Sequence, residues 1–196
     1  MKRLFLSIVC VIVTIVGLHA QNANRSGVFI ELQGGAAFGT VMDKEVAIST
    51  GGYQYDYIRQ WYLKGGFVGS FDVGYRYATS NQFAIEMKAG AWANFQDIGK
   101  TISLDMLPGI RWTSKEISGN ISMFLSLNAG CGLNFLEGEV APLIPVEVGV
   151  GVNLTNQLYA GVFLSERIAT GDGKGWPDYY YPQTHTTAGL KIGYRF

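Results

Sequence analysis

Thr186-Thr187-Ala188-Gly189-Leu190-Lys191-Ile192-Gly193-Tyr194-Arg195-Phe196 closes the chain. Ala188, Leu190, Ile192, Tyr194 and Phe196 fall on one phase of a period-two repeat; Gly189, Lys191, Gly193 and Arg195 fall on the other. A β-strand points alternate side chains to opposite faces, so this segment has one greasy face and one small or cationic face. The same alternation recurs in seven further segments, with charge kept on the non-greasy phase. A closed barrel with lipid outside and polar groups inside accounts for this, because a membrane interior leaves no water to satisfy an open sheet edge.

Working outward from the last strand, the reading is of an eight-stranded antiparallel up-and-down transmembrane β-barrel, class all-β. Strand one spans 27–38, with Val28, Ile30, Leu32, Ala36 and Phe38 out and Phe29, Glu31, Gln33 and Gly35 in. A long polar stretch, 41–61, separates it from strand two at about 63–77, where Phe67, Phe71, Val73, Tyr75 and Tyr77 oppose Lys64, Ser70, Asp72, Gly74 and Arg76. After a tight turn at 79–82, strand three (83–95) encloses Glu86, Lys88, Trp92 and Asn94. Strand four (101–112) encloses Ser103, Asp105 and Arg111, and Pro108, which lacks a ladder donor, predicts a local bulge. Strand five (121–135) alternates throughout, strand six (143–153) carries Glu147 inward, and strand seven (158–168) carries Tyr159, Phe163, Ser165 and Arg167 inward.

The charges test this assignment. The inward phases hold Glu31, Lys64, Asp72, Arg76, Glu86, Lys88, Asp105, Arg111, Glu147, Arg167, Lys191 and Arg195, whereas the outward phases hold only Glu166 near a strand end. A lipid-facing Arg or Lys costs about 2–4 kcal/mol at the midplane, so a lipid-facing surface excludes charge in this way. A soluble barrel of the lipocalin kind would show the reverse.

Composition agrees. Of 196 residues, 48% are hydrophobic, 26 are glycine and only 15% are charged. Lys2-Arg3, the apolar run 4–18 and Leu18-His19-Ala20 read as a signal peptide over 1–20, removed before a short segment 21–26 and the barrel 27–196. The run is shorter than the roughly 20 residues of a spanning helix. Without the leader, 13 basic and 15 acidic residues remain, so no nucleic-acid partner is indicated. Cys10 leaves with the leader and Cys131 is then alone, which excludes an intrachain disulfide.

With both termini in the periplasm, the two longest connections, 41–61 and 170–183, face outward from the cell. Tyr75, Tyr77, Phe83, Trp112, Tyr194 and Phe196 make a periplasmic aromatic girdle, with Phe38, Trp61 and Phe95 in the outer one. Tyr53, Tyr55, Tyr57, Trp61, Trp176, Tyr179, Tyr180 and Tyr181 combine apolar area with hydrogen-bonding tips and are the candidate loop contacts for an extracellular ligand.

A signal peptide, eight amphipathic strands and the ending Gly193-Tyr194-Arg195-Phe196 resemble the small outer-membrane β-barrel proteins, the OmpA-like transmembrane domain and OmpX-type group. The resemblance implies bacterial outer-membrane location, contact with outer-membrane lipid and lipopolysaccharide, a monomer, and recognition of Tyr194 and Phe196 by the barrel-assembly machinery. Some such barrels modify lipid A with a histidine, a serine and a carboxylate near the outer rim; here His185, Ser165 and Glu166 are the residues of those types. One rim histidine is weak support, and the chain is expected not to be an enzyme. No Walker pattern or paired His/Cys spacing calls for a cofactor or metal. The expected role is structural or surface-loop recognition over a charge-filled interior, and the rival role is a narrow, low-conductance pore.

Overall fold

The computed structural model describes residues 26–48, 55–96, 99–119, 121–136, 139–169 and 179–196, and within them the side chains of 26–38, 65–95, 101–119, 121–135, 140–168 and 185–196. The leader 1–20, the loop residues Tyr53 and Trp176, and the side chains of Tyr55, Tyr57, Trp61, Lys64, Tyr179, Tyr180 and Tyr181 lie outside them.

The strand segments are β1 (Gly27–Ile48), β2 (Tyr55–Ala78), β3 (Phe83–Gln96), β4 (Gly99–Thr113), β5 (Ser122–Ala129), β6 (Cys131–Leu136), β7 (Glu139–Asn153), β8 (Leu158–Ala169) and β9 (Tyr179–Arg195). Each pairs antiparallel with its neighbours, and β1 pairs with β9, so the sheet closes. β5 and β6 hold one register against β4 and one against β7, which makes them two pieces of a single stave and the barrel eight-stranded. No helix of the described residues is long and apolar enough to cross a membrane.

The stagger follows from the registers. Gly27 pairs with Arg76, which leads through Glu86, Gly109, Asn128, Glu147, Ser165 and Thr187 to Ala37, so one circuit returns to β1 ten residues further on. With eight strands, that stagger corresponds to strands tilted roughly 35–45° from the barrel axis. Every side chain on this circuit points inward, so the circuit climbs the lumen through residues far apart in sequence.

Two connections at the end carrying the termini, 79–82 and 154–157, are short. Ser80 Oγ accepts from the backbone N–H groups of Gln82 and Phe83 at 3.3 and 3.0 Å, and Thr155 Oγ1 accepts from Gln157 and Leu158 at 3.1 and 2.9 Å. Hydroxyl-capped turns of this kind satisfy backbone donors that the ladder has left behind.

Two expectations are corrected. Pro108 makes no bulge: β3 and β4 pair in one register from Phe83↔Trp112 to Gln96↔Gly99. The missing donor interrupts the ladder instead, since pairing with the next stave stops at Met106↔Cys131 and resumes at Gly109↔Asn128. Second, 41–61 is mostly not a loop. β1 continues to Ile48 and β2 begins at Tyr55, and the two pair without a break down to Gly27↔Arg76. β2 meets β3 only from Gly66 onward, so the hairpin rises beyond the barrel wall. Likewise β9 starts at Tyr179 inside the predicted loop 170–183, and the one register shift against β1 lies between Thr40 and Met42.

Candidate functional site: the filled lumen

All eleven inward charges with described side chains are buried, and the outward face is a continuous apolar surface with Phe67 75% and Leu190 70% exposed. At the terminus end, the girdle residues Tyr77, Phe83, Trp112, Tyr194 and Phe196 are exposed and Tyr75 is half-buried; at the other end Phe38 and Phe95 are exposed, joined by Phe67.

Near the terminus end the strand registers bring Phe29, Arg76, Glu86, Arg111, Phe124 and Tyr159 into one layer. Arg76 Nε donates to Glu86 Oε1 at 2.5 Å, and Arg111 Nη1 lies 3.8 Å from the same oxygen. The Arg111 guanidinium sits 3.5 Å above the Phe124 ring and 4.6 Å from that of Tyr159, and the Arg76 guanidinium is 5.3 Å from both Phe29 and Tyr159. Planar guanidinium groups stack on ring faces, so one carboxylate and three rings hold two cations here. Arg111 Nη2 also donates to Asn153 Oδ1 at 2.7 Å, and Asn153 Nδ2 to Ser122 Oγ at 2.8 Å.

The middle layer is ionic and has no ring of its own. Lys88 Nζ reaches Glu31 at 3.1 Å, Glu147 at 2.8 Å and Asp72 at 4.0 Å. Lys191 Nζ reaches Glu147 at 3.2 Å and Glu31 at 3.8 Å. Gln33 Nε2 donates to Glu31 and Glu147 at 2.7 and 3.1 Å. Room for Lys191 comes from Gly149, where an added Cβ would collide with its Nζ.

The third layer lies toward the hairpin end. Arg167 Nη1 donates to Asp105 Oδ2 at 2.5 Å, and its guanidinium lies 3.4 Å above the Trp92 ring. Phe163 meets Trp92 edge-on, centroids 5.8 Å apart at 78°, with Ala37 and Val68 packed against them. Above these, Asn94 Nδ2 and His185 Nδ1 are 3.3 Å apart, and Ser103 Oγ donates to Asn134 Oδ1 at 3.1 Å.

The structure brings together most of the predicted interior network: Glu31, Asp72, Lys88, Glu147 and Lys191 form one cluster, Arg76, Glu86 and Arg111 a second, and Asp105 and Arg167 a third. Arg195 donates to the backbone carbonyl of Asn156. The sequence places Phe29, Trp92, Tyr159 and Phe163 inward without giving them a part, yet Phe29, Trp92 and Tyr159, with Phe124, carry the arginines, and Phe163 braces Trp92. Large aromatics on the charged phase of a strand were the available signal.

His185, Ser165 and Glu166 do not assemble. Ser165 and Glu166 are consecutive on β8 and so face opposite sides of the wall. Ser165 and His185 are buried inside, whereas Glu166 pairs across the strands with Thr186 on the outer face. No group of three or more potential metal ligands occurs among the described residues.

No protein-family profile matches the chain, and no curated protein sequence matches it. Solved structures do. Neisserial surface protein A superposes with a TM-score of 0.52 at 11% identity, covering 87% of this chain and 98% of that one. The attachment invasion locus protein Ail of Yersinia pestis gives 0.41 at 18% identity (87% and 99% covered), and the outer-membrane enzyme PagL gives 0.49 at 13% (84% and 99% covered). The chain has the closed eight-stranded fold of small outer-membrane β-barrels.

Proposed function

We propose that this chain is a non-enzymatic barrel of the bacterial outer membrane whose lumen is sealed, and which holds its β1–β2 hairpin and the β8–β9 connection outside the cell, with both termini in the periplasm. The observation that carries this reading is the occupied lumen: three successive side-chain layers, each with buried ion pairs, cross the interior. Eight strands enclose a space that side chains can fill, and here they do so at every level described. What remains for a partner is the projecting end, where Tyr53, Tyr55, Tyr57, Trp61, Trp176, Tyr179, Tyr180 and Tyr181 supply aromatic contact chemistry.

At the opposite end, the rings of Tyr194 and Phe196 meet with centroids 5.1 Å apart, and the Phe196 N–H donates to the Val28 carbonyl at 2.9 Å. An exposed aromatic pair at the closing seam supports an assembly signal at these two residues.

The test is single-channel conductance of refolded residues 21–196 in a planar bilayer, after a heat-modifiable gel band has confirmed folding. A sealed barrel gives no steps. Discrete, salt-proportional steps would overturn the seal in favour of a narrow pore, and Lys191→Glu would then change ion selectivity.

A further inference from the structure

We propose that the outer wall between β7, β8, β9 and β1 binds one membrane lipid, its acyl chain in a surface furrow and its donor-bearing head group on the carboxylate of Glu166. This rests on the membrane location of the barrel and is independent of whether the lumen conducts.

Glu166 is the one charged group on the lipid-facing phase of the strands among the described side chains. It is half-buried and accepts from Thr186 Oγ1 at 2.5 Å. A carboxylate offers about four acceptor directions, and the threonine hydroxyl takes one of them. Thr186 in turn pairs across the strands with Phe38 of the hairpin-end girdle, which puts the acid near the level where head groups meet acyl chains.

The furrow begins two outward pairs below this acid and crosses the wall from β1 through β9 and β8 to β7. Successive outward pairs below Glu166↔Thr186 are Leu164↔Ala188, Val162↔Leu190 and Ala160↔Ile192. The depression has a volume of about 680 Å³ and is lined by Leu32, Gly34, Val150, Ala160, Val162 and Leu190 among others. That lies within the roughly 300–1,000 Å³ of small-molecule sites.

Small residues line both sides of the wall here. Gly35 pairs directly with Gly189, and Gly151 with Gly161, all four facing the lumen. A Cβ on Gly35 would fall 2.6 Å from Gly189 Cα, and one on Gly151 would fall 2.6 Å from Gly161 Cα. With no side chains between them these strands pack backbone to backbone, and Gly34 and Ala160 on the outer side add little bulk over the slot. Head anchor and chain slot thus share one face of the barrel, with the Leu164↔Ala188 pair between them. The acid selects a head with N–H or O–H donors over one that has none.

The test uses membrane-extracted protein in nanodiscs of equal parts phosphatidylethanolamine and phosphatidylcholine with identical chains, followed by native mass spectrometry of retained lipid. The two heads carry the same net charge and differ in N–H donors. We expect the ethanolamine lipid to be retained about ten-fold over the choline lipid, the lower end of the scale of one charge-assisted hydrogen bond. Glu166→Gln should reduce that preference to near one. Gly34→Leu should lower retention of both lipids; its added side chain has room on the outer face, where a Cβ comes no nearer than 3.8 Å to its neighbours, so the barrel still folds. Equal retention of the two lipids by the parent protein would overturn the proposal, as would a preference that survives Glu166→Gln or retention that Gly34→Leu leaves unchanged.

Discussion

The central ion cluster and the two arginine–ring layers fill the same lumen by different means. In the centre, Glu31, Asp72 and Glu147 surround Lys88 and Lys191, and flexible chains meet mainly through ion pairs, joined by the amide of Gln33. In the flanking layers a guanidinium lies flat on an aromatic face, Arg111 on Phe124 and Arg167 on Trp92, and the carboxylate is only one of its neighbours. The centre therefore depends on charge balance, and the flanks depend as much on ring volume. Removing one partner of a buried ion pair leaves the other charge stranded in low dielectric, while removing a ring leaves a cavity.

The sharpest test falls on Glu147, which is fully buried and shared by both lysines and Gln33. Glu147→Ala should cost about 3–5 kcal/mol, seen as a lower midpoint of urea unfolding from lipid vesicles. Trp92→Ala should cost about 3–4 kcal/mol in the same assay, through the void left under Phe163 and Arg167. The flanking ion pair should matter less: Asp105→Asn, which keeps shape and leaves the guanidinium on Trp92, should cost about 1–2 kcal/mol. If Asp105→Asn proved as damaging as Glu147→Ala, the distinction between centre and flank would fail. The smallest effect belongs outside the wall. Leu127 is exposed to the surroundings of the barrel, and lipid tails as apolar as leucine fill the space it vacates, so Leu127→Ala should shift stability by about 0.5 kcal/mol.

The barrel wall was legible from residue to residue because lipid and lumen impose opposite chemistry on alternate positions. Strands such as 121–135 and 186–196 carry that constraint on every residue. Legibility stopped where the constraint stopped. From Thr40 to Ile48 and from Tyr55 to Gly65 the chain pairs beyond the third strand, so neither face is held to an alternating rule and the hairpin read as a polar loop. Pro108 misled differently: it removes one donor, and a closed ring of registers tolerates the gap without slipping, because a one-residue shift would turn every side chain of the stave to the wrong solvent.

The interior network shows the same boundary. Its members could be named from phase, but not their pairings, since Arg167 meets Asp105 and Lys88 meets Glu147 across dozens of residues. Those partnerships depend on the ten-residue stagger that closes the ring. The sequence by itself determined which way each side chain faces, because that is a local property of a pleated strand between two solvents. Only the tertiary structure decided which inward groups share a layer and which rings carry which arginines. Each of these depends on registers summed around a closed barrel, a quantity no single stretch of chain contains.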